Sequence, residues 1–263
     1  MLSLDKVFDA QTVLKSIIRE TNVVKTYGIA PDCDLYLKPE NLQITGSFKV
    51  RGSAYKISQL SAEEKAKGVI ACSAGNHAQG VALAATKNGI KSLICLPDSA
   101  PISKVEATKG YGAEVCLVEG VYDDAYNKAI ELKEKEGYTF VHPFDDEDVI
   151  AGQGTIALEV LNDLDNIDAI VVPVGGGGLL VLADYQLPGF GAGLSDADQA
   201  LLQPALHHVY DRRIPDSAGA GQPGRGVFQD GRELVNSMKS VPEQMAQDAY
   251  RVARNVPMLI AND

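Results

Sequence analysis

Gly68-Val69-Ile70-Ala71-Cys72-Ser73-Ala74-Gly75-Asn76-His77-Ala78-Gln79-Gly80 passes from a short apolar run through small polar residues into a helical spacing that continues to Asn88. A second apolar run, Ser92–Leu96, follows. Strand, helix and strand in that order form the crossover unit of a parallel sheet. The alternation extends along the chain. It predicts strands at Leu35–Lys38, Gly68–Cys72, Ser92–Leu96, Glu114–Val118, Thr139–Val141 and Ala169–Val174, and helices at Phe48–Leu60, Asn76–Asn88, Ser103–Tyr111, Tyr122–Lys135 and Val149–Leu164. The run Ala169-Ile170-Val171-Val172-Pro173-Val174 is apolar throughout, as a strand buried on both faces requires. The fold class is α/β, with open, twisted, mostly parallel sheet and helices on both faces.

Composition sets the outer limits. The chain has 263 residues, 45% hydrophobic and 22% charged, enough to build a real core. A net charge of −11 leaves no basic face for nucleic acid or an anionic membrane surface. No apolar run approaches the ~18–20 residues of a membrane span, and Met1–Lys6 opens no signal peptide, so a cytoplasmic protein is expected. Cys33, Cys72, Cys95 and Cys116 show no Cys-x-x-Cys spacing and read as buried small hydrophobes, with no metal site.

Three segments carry chemistry. In Thr45-Gly46-Ser47-Phe48-Lys49-Val50-Arg51-Gly52 a lysine beside an aromatic opens a helix, a position suited to a nucleophilic amine. The turn Ser73-Ala74-Gly75-Asn76-His77 follows a strand and begins a helix, so it either receives a carboxylate or caps the helix through Ser73 or Asn76. Gly175-Gly176-Gly177-Gly178-Leu179 follows the most apolar strand, and four residues without a β-carbon let backbone N–H groups converge on a phosphate. It is neither a Walker loop nor a dinucleotide fingerprint. The literal match at Gly219-Ala220-Gly221-Gln222-Pro223-Gly224 has no strand before it and contains Pro223, so it reads as a linker.

Together these segments resemble the serine/threonine dehydratases, fold-type II pyridoxal-phosphate (PLP) enzymes. Lys104-Val105-Glu106-Ala107-Thr108, Gly110–Val115, His142-Pro143-Phe144-Asp145-Asp146 and Ile150–Thr155 also read as that family, and the resemblance covers about residues 20–180. It implies two domains, a small one at 44–140 and a large one from 1–43 and 141–182. It further implies that Lys49 holds PLP as an imine, Phe48 packs on its ring, Asn76 reaches the ring oxygen, and Gly175–Gly178 with Leu179 cradle the phosphate. Ser73, Ala74, Gly75, Asn76 and His77 would line the substrate carboxylate, and Lys49 and Ser73 are the catalytic candidates. His77 would act without side-chain chemistry, and His142 would be structural. The implied reaction is β-elimination of water from L-threonine or L-serine, followed by hydrolysis of the released enamine to a 2-oxo acid and ammonium, within amino-acid metabolism that includes isoleucine biosynthesis. Racemases of this branch carry a second serine where this chain has Ala74, which favours elimination. A homodimer or homotetramer is implied.

Residues 183–263 lose the alternation and read as an atypical helical and loop segment. The basic residue also switches: 15 Lys and 2 Arg up to residue 182, then 1 Lys and 6 Arg. This raises a second expectation, a truncated or chimeric chain that keeps the PLP motifs without catalysis.

Overall fold

The computed structural model describes residues 2–27, 34–164, 167, 178 and 179. The predicted strand Ala169–Val174, Gly175–Gly177, Cys33 and the segment 183–263 lie outside them. In chain order the elements are α1 (Leu4–Leu14), β1 (Val24–Lys25), β2 (Tyr36–Leu37), a 3-10 turn (Glu40–Leu42), α2 (Lys49–Ser58), α3 (Ala62–Lys67) and β3 (Val69–Cys72). There follow α4 (Asn76–Lys87), β4 (Ser92–Pro97), α5 (Ile102–Gly110), β5 (Glu114–Val118), α6 (Tyr122–Glu136), β6 (Thr139–Phe140) and α7 (Glu147–Asp163).

Four strands form a parallel sheet in the order β5-β4-β3-β6. Side chains alternate across it, as the two-residue period of a strand dictates. Val69, Ala71, Ile94 and Leu96 face a core shared with α1, α2, α4 and α7, whereas Ile70, Cys72 and Cys95 face α6 through Ala125 and Ala129. Cys72, Cys95 and Cys116 are register partners on three adjacent strands. Burial pushes the Cys72 and Cys95 thiols up to about 12, so these two behave as the small hydrophobes expected; Cys116 is half-buried.

Two expectations change. The strand predicted at Leu35–Lys38 narrows to Tyr36–Leu37 and pairs antiparallel with Val24–Lys25, in a separate two-stranded sheet. The helices α1 and α3 are additions to the predicted set. The first buries Val7, Ala10 and Leu14, and the second has no buried residue and is held by a capping box between Ser61 and Glu64.

The sheet order fixes where a site can lie. From β3 the chain steps outward through β4 to β5, then crosses back under α6 to place β6 on the other side of β3. Ligands of open parallel sheets sit beyond the carboxyl ends of strands at such a reversal. Here those ends are the turns after Cys72 and after Phe140.

Candidate active site

The turn Gln43–Phe48 delivers the chain into α2. Gly46 has φ +71°, a left-handed conformation suited to glycine, and its N–H donates to the Gln43 carbonyl at 2.8 Å. Ser47 is fully buried and its Oγ accepts from the Lys49 N–H at 3.3 Å. Lys49 is therefore the first residue of α2, and it is only 7% exposed. Its Nζ lies 3.3 Å from the Pro143 carbonyl oxygen and 5.4 Å from the centre of the Phe48 ring.

Three glycines set α2 against its neighbours. A β-carbon on Gly52 would stand 2.6 Å from the Val149 carbonyl oxygen, and one on Gly152 would stand 2.6 Å from both the Arg51 carbonyl oxygen and the Gly52 Cα. On the other side, a β-carbon on Gly80 of α4 would meet the Lys49 carbonyl oxygen and the Val50 Cα at 3.1 Å. The backbone carrying Lys49 is thus gripped between α4 and α7.

Two residues beyond Lys49, Arg51 is completely buried. Its guanidinium donates to both Glu40 oxygens at 2.8 Å, to the two Glu159 oxygens at 2.6 and 2.8 Å, and to Thr155 Oγ1 at 3.0 Å. Lys38 adds a second cation 2.6 Å from Glu159 and also donates to the Thr21 carbonyl. Burial alone would raise the Glu159 pKa, but hydrogen bonds from Arg51 and Lys38 hold its carboxyl below the ordinary value. Two cations against two carboxylates tie α2 to the 3-10 turn and to α7. The motif around Lys49 contains Arg51 but suggests no role for it; Glu40 and Glu159 carry no local signal.

The turn after β3 holds Ser73, Ala74 and Gly75, all half-buried, and Asn76 and His77 open α4. Gly75 occupies the N-cap position and, lacking a side chain, supplies no cap of its own. Ser73 Oγ instead accepts from the Gly75 N–H at 3.1 Å. His77 is 2% exposed; its Nε2 donates to the Val141 carbonyl at 2.9 Å, and its Nδ1 lies 3.5 Å from Ser53 Oγ. The ring joins the start of α4 to the residue that follows β6.

The turn after β6 completes the crevice. His142 Nδ1 accepts from the N–H groups of Asp145 at 2.8 Å and Phe144 at 3.3 Å. The ring packs edge-on against Phe144 at 4.7 Å, and burial lowers its pKa against the pull of Asp145 and Asp146. Gly178 comes down on this same turn. A β-carbon there would be 2.8 Å from the Phe144 carbonyl oxygen, so only glycine fits as placed, and Leu179 beside it is half-buried. Lys49 and Gly178 therefore meet neighbouring residues, Pro143 and Phe144, of one loop. A buried amine, an aromatic beside it and a glycine, Gly178, packed on the same turn fit a phosphate-bearing aldehyde cofactor. Among the described residues no cluster of three or more His, Cys, Asp or Glu side chains is placed to hold a metal, and no helix is long and apolar enough to cross a membrane.

Comparison with known proteins agrees with this geometry. Residues 14–255 match the family described as pyridoxal-phosphate dependent enzyme, well past Leu180 where the motif resemblance ends. The chain is 39% identical to the L-threonine ammonia-lyase of Thermotoga maritima, covering 95% of this chain and 65% of that protein, just under two thirds of its length. It is 39% identical to a catabolic L-threonine dehydratase of Staphylococcus aureus, covering 95% of this chain and 77% of the relative. Among solved structures, serine racemase from Dictyostelium discoideum superposes with a TM-score of 0.70 at 34% identity, over 79% of this chain and 65% of the other. The processed form of threonine deaminase isoform 2 from Solanum lycopersicum gives 0.68 at 33% identity, over 78% of this chain and 59% of the other. With the family match spanning both the lysine and the glycine run, the chain belongs to the pyridoxal-phosphate dependent enzyme family.

Proposed function

We propose that the protein is a threonine/serine ammonia-lyase, releasing ammonium from L-threonine to give 2-oxobutanoate and from L-serine to give pyruvate. The observation that carries the reading is the buried Lys49 amine, held against the Pro143 carbonyl in the turn after β6, the loop that receives Gly178. PLP, when bound, supplies the electron sink that spreads the negative charge left at the substrate Cα. Lys49 would hold the cofactor through Nζ and, once released by the incoming amino group, take the Cα proton. Phe48 would cover the ring, Asn76 would bond its oxygen, and Gly175, Gly176, Gly177 and Gly178 would enclose the phosphate, with Leu179 behind them. Ser73, Gly75, Asn76 and His77 would offer hydroxyl and backbone donors at the start of α4 to the substrate carboxylate.

Ala74 presents a methyl group where a racemase needs a hydroxyl to serve the second face of Cα, so elimination is favoured over serine racemisation. The family match through residue 255 favours the enzyme over a non-catalytic chimera. In this reading residues 44–140 form the small domain, 1–43 and 141–182 the large one, and the protein works in the cytoplasm as a dimer or tetramer. The names of the catabolic relatives favour threonine breakdown over isoleucine biosynthesis.

The test is an absorbance scan of the purified protein with PLP beside a Lys49→Ala control, followed by L-threonine and then L-serine. A visible band that requires Lys49, with 2-oxo acid formed on adding substrate, supports the proposal. A protein that shows neither overturns it.

A further inference from the structure

His142 has no part in the proposed reaction, yet one edge of its ring is tied down. A neutral imidazole carries one hydrogen and leaves the other nitrogen bare. Here the N–H groups of Asp145, at 2.8 Å, and Phe144, at 3.3 Å, both converge on Nδ1, so the ring hydrogen belongs on Nε2. A second proton would have to enter at Nδ1, against two N–H groups already pointing there. The turn closed by these two bonds reaches three elements of the site. Its Pro143 carbonyl accepts from Lys49 Nζ at 3.3 Å, Gly178 packs on its Phe144 backbone, and Asp146 beyond it caps α7 and pairs with Lys56 of α2. Burial and the charge of Lys49 oppose protonation of the ring, while Asp145 and Asp146 favour it; the balance holds its pKa below the ordinary 6.5. Lys56 offsets part of the pull of Asp146, and His77 of α4 engages the Val141 carbonyl one residue before the ring. Phe140 and Phe144 pack on the ring itself.

We propose that His142 is a positioning residue that works only while neutral: its bare Nδ1 closes the turn, and the turn sets the Pro143 carbonyl against the Lys49 amine. The inference rests on the ammonia-lyase reading, which gives that amine its task. When the ring takes a second proton from water, the Phe144 and Asp145 N–H groups lose their acceptor, the turn loosens and the carbonyl no longer fixes Nζ. The arrangement is complete at neutral pH and is lost as pH falls below 6.5 through the ring's own lowered pKa. His142 passes no proton to or from the substrate; Lys49 does.

The test compares His142→Asn, whose Oδ1 accepts in place of Nδ1 and does not titrate, with His142→Leu, which offers no acceptor. In the full chain without PLP, nitrogen NMR of the imidazoles should show one ring, missing from His142→Asn, with Nε2 protonated, Nδ1 bare and more than half of it neutral at pH 6.5. PLP affinity is then read from the Lys49-dependent visible band at neutral pH and at a pH below that ring's titration. At neutral pH His142→Asn should match the parent and His142→Leu should bind about tenfold more weakly, the net worth of the two hydrogen bonds to Nδ1. At the acid pH the parent should fall to the level of His142→Leu, with His142→Asn about tenfold tighter than both. A ring hydrogen on Nδ1, equal weakening by the two substitutions at neutral pH, or the same acid course in His142→Asn as in the parent, overturns the inference while the ammonia-lyase reading stands. If the unsubstituted protein shows no Lys49-dependent band, that reading fails, and this inference with it.

Discussion

The helices of this protein begin in two ways. α1, α3 and α7 start under side chains: Ser3 accepts from Lys6, Ser61 and Glu64 close a capping box, and Asp146 accepts from Asp148 and Val149. α2, α4, α5 and α6 start at Phe48, Gly75, Pro101 and Val121 with no cap from the N-cap side chain, although Ser47 Oγ accepts from the first N–H of α2. A cap satisfies the first N–H groups and spends the positive end of the helix on the protein itself. Two of these starts carry Lys49 and Asn76, residues of the proposed chemistry, so the comparison teaches that at those positions the protein forgoes an N-cap side chain that would add local stability.

Four changes break or sharpen the contrast. The largest effect should come from Lys49→Ala, which abolishes both the visible band with PLP and 2-oxo acid formation while the far-ultraviolet circular dichroism stays that of the parent. Next is Arg51→Met, which leaves Glu40 and Glu159 buried with Lys38 alone; loss of one partner from such a cluster costs about 3–5 kcal/mol, read by urea denaturation. Third is Gly75→Asp, which installs a cap on α4. Room exists for the side chain, so stability should hold or rise slightly, but its carboxylate would occupy the anion position and binding of L-threonine should fall by about two orders of magnitude. The smallest effect should be Ser61→Ala in α3, about 1 kcal/mol of stability with kcat/KM unchanged. A Gly75→Asp variant with normal affinity, or a Ser61→Ala variant with lowered activity, would erase the distinction between the two kinds of helix start.

The buried cluster also predicts a pH response. Glu159 has its folded pKa held below the ordinary 4.5. The unfolded chain therefore takes up the proton first as acid is added, so the stabilisation is complete above that ordinary value and is lost as pH falls through the folded one. Glu159→Gln should lower stability at neutral pH and flatten this acid limb in thermal unfolding followed from neutral pH to about pH 3.

Much of this is legible in the sequence, for physical reasons that differ by element. Glu114–Val118 forms over the residues read for it, because an apolar run between Gly112 and Gly120 has few other ways to satisfy its backbone. β1 and β2 are hidden because two-residue strands leave no periodic signal. The Ser61-x-x-Glu64 pattern announces α3, and reading it as a capping box would have found the helix. Lys49 and the turn after β3 stand out as local motifs. The Arg51 cluster does not, since its partners Glu40 and Glu159 lie far away in sequence and meet only through the crossing of α2 with α7.

That crossing has a consequence for how the protein can change over time. Where Gly52 meets Gly152, and where Gly80 meets Lys49, helix backbones touch without side chains between them. The position of the amine is thereby inherited from main chain, which every sequence shares. Residues elsewhere in the core, such as Ile94 or Leu158, can drift in size and be absorbed by rotamer changes without moving it. That freedom narrows at these glycines, because a methyl group at Gly52 or Gly152 would overlap neighbouring backbone, and one at Gly80 would press on the carbonyl of Lys49.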